Sequence, residues 1–307
     1  MRIWAVGGGK GGTGKSLITH GLAVGLAERG SEVILVDADF GGPNMHTYCG
    51  LRKPPTSLSQ FFEQRRPLEE LVTQTPIPGV RLIPGNINSA NTDSITWTQK
   101  QKFFRHLRLL QADDVLLDLG GGSQYDTLDT FLLADTQIGV ISPDTLAIEN
   151  FYLFVKNLKH RQLANVLSWT GLKERGLDIW RNRSEHGIAN VPEFVQHLRN
   201  LSGEFAKTMD QEQNRLFVHL VLNQVREYSQ VELGLAVKSS MAKYFHIEGA
   251  FAGYIRHDKD LWQQFGQEHH GAKGEASFSL HHAMEGVLDM ILQHWRPGGE
   301  LAHAAAG

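Results

Sequence analysis

Cysteine is nearly missing from this chain: Cys49 is the only one in 307 residues. That excludes a disulfide framework, a C-x-x-C redox pair and a cysteine-rich metal site. A surplus of one charge is missing too. Thirty Lys and Arg stand against 33 Asp and Glu, and the formal net charge of −3 offers no global attraction to nucleic acid or anionic lipid. No apolar run approaches the roughly 18 residues that a membrane-spanning helix needs. Internal repeats are absent, and low complexity is confined to the C-terminal tail. The N-terminus passes from a six-residue start into a glycine-rich loop, which leaves no room for a signal peptide and sets the expectation of a cytoplasmic protein. What remains is ordinary globular material, 41% hydrophobic and 21% charged, with ample core. The length fits two average domains or one large α/β domain.

Against this plain background one stretch stands out, Ile3 to Ser16, read IWAVGGGKGGTGKS. A short apolar run ends in six glycines and two lysines and then opens into an amphipathic pattern. Gly9, Gly14, Lys15 and Ser16 fit the phosphate-loop spacing G-x-x-x-x-G-K-[ST]. Glycines allow consecutive backbone N–H groups to curl around a triphosphate, and the following helix presents its positive N-terminal end to the same anion. Lys15 then reaches the outer phosphates, and the Ser16 hydroxyl coordinates Mg²⁺. The nucleotide-binding set expected here is Gly9, Lys10, Gly11, Gly12, Thr13, Gly14, Lys15, Ser16 and Leu17. ATP and Mg²⁺ are the expected ligands.

Two carboxylate positions follow from strand ends. Glu32 to Asp37 reads as a strand apolar enough for burial on both faces. It leads into Asp37-Ala-Asp39, then glycine, proline and asparagine. Aspartates at the carboxyl end of a strand beside a phosphate loop are placed to meet Mg²⁺ and water; a merely polar loop is the alternative. Val115 to Asp118, followed by three glycines, has the Walker B form, in which the carboxylate holds Mg²⁺ through water. The glycines after Asp118 can rearrange when the γ-phosphate is lost. The expected metal set is therefore Ser16, Asp37, Asp39 and Asp118.

The second lysine makes the loop distinctive. Gly9-Lys10-Gly-Gly-Thr-Gly-Lys15-Ser16, with the Asp37-x-Asp39 stretch and Asp118-Leu-Gly, resembles the MinD/ParA class of dimerising ATPases. The run from Asp118 through Asp135, Ser142-Pro143 and Ile148-Glu149-Asn150 is similar to flagellar-number regulators and their MinD-like relatives. The resemblance implies that Lys10 reaches across to a partner subunit's nucleotide, that Asp39 orients the attacking water, and that Asp37 supports the metal's water shell. Lys10, Lys15 and Asp39 are then the catalytic candidates. It implies an ATP-dependent homodimer and an unidentified protein partner that stimulates hydrolysis. Leu222-Asn223-Gln224 resembles the place where this class reads adenine with an asparagine amide; Asn223 ending a strand in a turn is the alternative. After the last core strand this chain has Arg256-His257-Asp258, a departure from the class's proline and acidic residue.

The rest of the pattern is less specific. Strands alternating with helices predict a doubly wound, mostly parallel α/β sheet of about seven strands with helices on both faces. Residues 1–296 are expected to form one ATPase domain with a helical, basic insertion around 156–215, and 297–307 a flexible tail. Between Lys156 and Arg183 seven Lys and Arg face two acids, with Trp169 and Trp180 interleaved. Contact with DNA is one reading of that surplus, and a solvated helical face is the favoured one. Asn190 to Asp210 reads as helical. Met284, Val287, Leu288, Ile291 and Trp295 form a stripe whose polar face carries acids, so core packing is favoured over a membrane anchor. The function expected is a dimerising ATPase switch that positions or counts a cellular structure such as flagella, or partitions DNA. The alternative is a biosynthetic ligase of the dethiobiotin or cobyrinate synthase type, which would need a substrate pocket with its own polar constellation. An iron–sulfur carrier would need paired cysteines.

Overall fold

In the computed structural model the description covers residues 1–39, 41–85, 96–259 and 275–294. The predicted tail 297–307 and Trp295 lie outside them. The strands are β1 (Arg2–Gly7), β2 (Val33–Ala38), β3 (Thr73–Gln74), β4 (Val80–Ile83), β5 (Asp114–Leu119), β6 (Thr136–Ile141), β7 (Phe217–Val225) and β8 (Glu248–Arg256). They form one sheet in the order β3-β4-β2-β5-β1-β6-β7-β8. Every pairing is parallel except β3 with β4. The sheet has eight strands where the sequence pattern predicts about seven. The difference includes β3, whose two residues are too few to show any periodicity.

Parallel strands connected by helices are buried on both faces, and β2, β5 and β6 are buried at every position. Alternate side chains of β1 enter two cores: Ile3 and Ala5 face one, Trp4 and Val6 the other. The first core is covered by α4 (Trp97–Leu107), α5 (Tyr125–Leu133), α6 (Thr145–Trp169) and α10 (Val231–Phe245). The second is covered by α1 (Lys15–Glu28), α2 (Met45–Tyr48) and a C-terminal helix α11 (Glu275–Gln293). Met284, Val287, Leu288 and Ile291 of α11 are buried there, so the C-terminal stripe is core packing.

Between β6 and β7 the chain adds α7 (Lys173–Arg181), α8 (Val191–Leu201) and α9 (Gly203–Arg215) to the end of α6. Val166, Leu167, Ile179, Phe194, Leu198 and Phe205 give this lobe its own core. Asn190 to Asp210 is helical, as expected, and is divided between α8 and α9. Ser202 leaves the helical conformation, and its hydroxyl accepts from Phe205 N at 3.2 Å, capping α9. Trp169 and Trp180 pack against the lobe core, and the Arg183 guanidinium lies 5.2 Å from the Trp180 ring centre. The basic run is less available than its count suggests. Arg161 donates from Nε and Nη2 to the two oxygens of Asp129, at 2.6 and 2.8 Å, and buried Lys100 meets the same carboxylate at 2.6 Å. Burial, reinforced by the nearby Arg199 charge, brings the Lys159 amine down to about 8.

Candidate functional site

The loop between β1 and α1 lies at the carboxyl edge of the sheet, where parallel α/β folds gather their ligands. β1 sits near the middle, with β5 and β2 on one side and β6, β7 and β8 on the other. Gly14 turns into the helix with φ at 90°, and a Cβ there would collide with the Asn223 amide nitrogen. Only glycine meets both demands. The helix therefore begins at Lys15 with its first backbone N–H groups free of side-chain caps.

The predicted residues converge as follows. Lys15 is 6% exposed and donates to the carbonyl of Lys10 at 3.1 Å. Burial lowers its pKa, opposed by the charges of Asp118 and Asp39. Ser16 Oγ donates to Asp118 Oδ2 at 2.6 Å. Asp118 is fully buried at the end of β5, and burial pushes its pKa to about 6 while the Ser16 bond and Lys15 pull it down. Asp37, beside it at the end of β2, is pushed to about 8 by burial and by the Asp118 charge. Its two oxygens accept from Asp39 N at 3.2 Å and Met45 N at 2.9 Å. Leu17 is buried beneath the loop.

Asp39 is close to the cluster, with its carboxylate turned into its own turn. Oδ1 accepts from Gly41 N at 2.9 Å and Gly42 N at 3.1 Å, and the carboxylate lies against Gly120 after Asp118. Lys10 pairs with a different aspartate. Its ammonium is 3.2 Å from Asp144 Oδ1, the residue that caps α6. Both side chains are well exposed, and such a pair is weak and easily exchanged. Asn223 is buried, and its amide nitrogen donates to Thr13 O at 2.8 Å. One N–H of the amide expected at a base thus goes to the loop itself.

Three participants escape the motif. Thr19 is buried one turn into α1 and donates to the Lys15 carbonyl at 2.9 Å, with Asp118 Oδ1 at 3.1 Å. Gln224 donates to Gly12 O at 2.8 Å. Gly122 N donates to Gly8 O at 3.1 Å, tying the glycines after Asp118 to the loop.

The donor set suits Mg²⁺ and a polyphosphate. Among the described residues no three His, Cys, Asp or Glu side chains form a metal cage by themselves. Serine and aspartate supply the hard oxygen ligands that Mg²⁺ uses, with phosphates and water completing its shell. The Asp118 and Asp39 charges act on Lys15, while burial is the largest cause raising both Asp37 and Asp118, with the Asp118 charge adding to the rise at Asp37. The Thr13 hydroxyl, 1% exposed, has no hydrogen-bond partner among the described residues.

Comparison with known proteins agrees with this chemistry. A family model described as ParA, NUBPL iron-transfer P-loop NTPase, matches residues 1–103. A putative septum site-determining protein MinD from Guillardia theta is 30% identical over 202 residues, covering 65% of this chain and 71% of that protein. The chain belongs to the MinD/ParA family of P-loop ATPases. The antiactivator FleN of Pseudomonas aeruginosa, in the same family, is 27% identical over 218 residues, 68% of this chain and 69% of FleN. The structure of cobyrinic acid a,c-diamide synthase from Mycobacterium smegmatis, with bound ADP and magnesium, matches with TM-score 0.62. It covers 98% of this chain and 99% of that one at 18% identity, a likeness of fold alone. To the iron transfer that the family description names, this chain brings a single cysteine, the buried Cys49. No helix among the described residues is long and apolar enough to cross a membrane.

Proposed function

We propose that this protein is an ATP-hydrolysing dimerisation switch that controls the position or number of a cellular structure, such as flagella, or the partitioning of DNA. The observation that carries the reading is the convergence of Ser16, Asp118, Asp37 and Lys15 at the foot of the loop while Lys10 stays half-exposed at its mouth. Mg²⁺, when bound, draws negative charge from the outer phosphate oxygens. Ser16 and Asp118 would hold the ion, Asp37 would order the water around it, and Lys15 would neutralise the phosphates from within its own subunit. Asp39, on a turn already touching Gly120, positions the attacking water. Lys10 exchanges its weak pair with Asp144 for the partner's nucleotide, so ATP favours the homodimer and hydrolysis releases it. FleN and MinD, by their names an antiactivator and a septum site-determining protein, support an output of spatial or numerical control. A separate protein partner sets the hydrolysis rate.

The experiment is Asp39→Ala with Mg-ATP. The variant is expected to bind ATP normally, lose turnover and accumulate as dimer, read by calorimetry, phosphate release and light scattering. A variant that stays monomeric with ATP bound contradicts the assignment. Turnover by the unaltered protein without any carboxylate substrate separates this switch from an ATP-dependent ligase on the same fold.

A further inference from the structure

Sheet order sets the direction in which a nucleotide must lie. Ser16, Asp118 and Asp37 stand on the β5–β2 side of β1, so the outer phosphates belong there. The opposite side of the loop is held by β7, through Asn223 on Thr13 O and Gln224 on Gly12 O. A nucleoside leaving the loop therefore emerges over the carboxyl ends of β7 and β8. Each of the two amides there gives one N–H to the loop, which leaves its oxygen and second N–H for a base. Gln224 even adopts a left-handed backbone, φ 62°, to fold back on Gly12.

At that end of the sheet two tyrosines meet. Tyr228 opens the short 3₁₀ turn after β7, and its ring centre is 6.4 Å from that of Tyr254 at 78°. A bulge in β8 brings Tyr254 into this position. The register slips between Leu220↔Phe251 and Val221↔Gly253, with Gly253 at φ 134°. Residues three apart in an unbroken strand lie on opposite faces. Here Phe251 and Tyr254 pack against one core, while Ala252 and Ile255 enter the other. The bulge thus turns Tyr254 to the side on which Tyr228 stands. Glu227 and Gln230 cap the turn, so the backbone that carries Tyr228 is held. Yet the side chain itself is among the most exposed of the large apolar residues, with Tyr228 at 79%. A held turn presenting an open aromatic face at the same carboxyl edge of the sheet as the phosphate loop is suited to stacking a base, since every base has a π-face.

We infer that Tyr228, set edge-to-face by Tyr254, is the stacking platform for the purine of the bound nucleotide. This deepens the nucleotide reading of the loop and rests on it. The test is calorimetry on the full chain with two probes, Mg-ATP and Mg-tripolyphosphate, the second lacking the nucleoside. Tyr228→Ala is expected to weaken ATP about tenfold, the scale of one lost base–aromatic stack, and to leave tripolyphosphate unchanged. Tyr228→Trp is expected to retain ATP affinity, because it keeps a ring. Tyr228 is exposed, so neither change threatens the fold. Lys15→Ala is the control and should weaken both probes. If Lys15→Ala weakens both while Tyr228→Ala binds ATP like the unaltered protein, the stacking inference is overturned and the loop reading stands. If Lys15→Ala weakens neither, the loop reading falls and the inference falls with it.

Discussion

The sheet edge around the glycine loop and the helical lobe of α6 to α9 are built on opposite principles. At the edge, groups that prefer water are buried: Lys15, Asp37 and Asp118 are all at or below 6% exposure. Burying charge is unfavourable unless it is paired or binds a metal. Burial is the largest cause raising the pKa values of Asp37 and Asp118, and the Asp118 charge adds to the rise at Asp37. In the lobe, Val166, Phe194, Leu198 and Phe205 are inside, while Lys173, Arg175, Arg181 and Arg183 face solvent. That is the ordinary arrangement of a self-sufficient core. One region gives up stability to hold a ligand, and the other supplies it.

The comparison breaks most visibly if the two regions share their energetics. Phe205→Ala deletes a fully buried ring of the lobe core and should cost about 3–5 kcal/mol in denaturant unfolding. ATP affinity of the folded protein should be unaltered; a loss in parallel with stability would mean that the lobe helps build the site. A smaller effect is expected from pH. With its pKa near 8, Asp37 holds a proton at neutral pH that a divalent cation must displace. Mg-ATP affinity should therefore rise about twentyfold, on the order of 2 kcal/mol, as pH increases from roughly 6.5 to 8.5. The sign is the reverse for the ligand-free fold, where this raised carboxyl gives up stability as pH climbs towards 8. Asp37→Asn should flatten the pH dependence of affinity, and an unchanged slope would remove Asp37 from the metal's surroundings. The smallest effect belongs to the basic run. Arg175→Glu should move stability by less than about 0.5 kcal/mol. ATP-bound protein should fail to retard random duplex DNA even at low salt, and a salt-sensitive shift would show the lobe to be a nucleic-acid surface.

The same contrast explains what could be read from the chain alone. Lys15, Ser16 and Asp118 were legible because phosphate and metal chemistry demands given residue types at given spacings. Thr19 was not, since a threonine inside a helix carries no such demand, although its hydroxyl reaches Asp118. Asn223 was legible as a residue of the site but not in its contact. Its bond to Thr13 joins positions 210 apart, which no local pattern encodes. Arg161 shows the limit of counting charges: it adds to the basic run on paper and is committed to Asp129, 32 residues earlier. The break at Ser202 was present as a serine followed by glycine and glutamate, and helical periodicity on both sides concealed it.

The central claim is that Lys10 serves the other subunit's nucleotide while Lys15 and Asp39 serve their own. Phosphate release across a titration of inactive Lys10→Ala protein into inactive Asp39→Ala protein tests it directly. In the mixed dimer the Lys10→Ala protomer keeps its own Asp39 and receives an intact Lys10 from its partner, so one of two sites is complete. With independent sites and exchanging subunits, activity should return to about half the unaltered rate per mixed dimer. A flat line at background, with subunit exchange verified separately, would contradict the account, because it would mean that Lys10 works only within its own subunit.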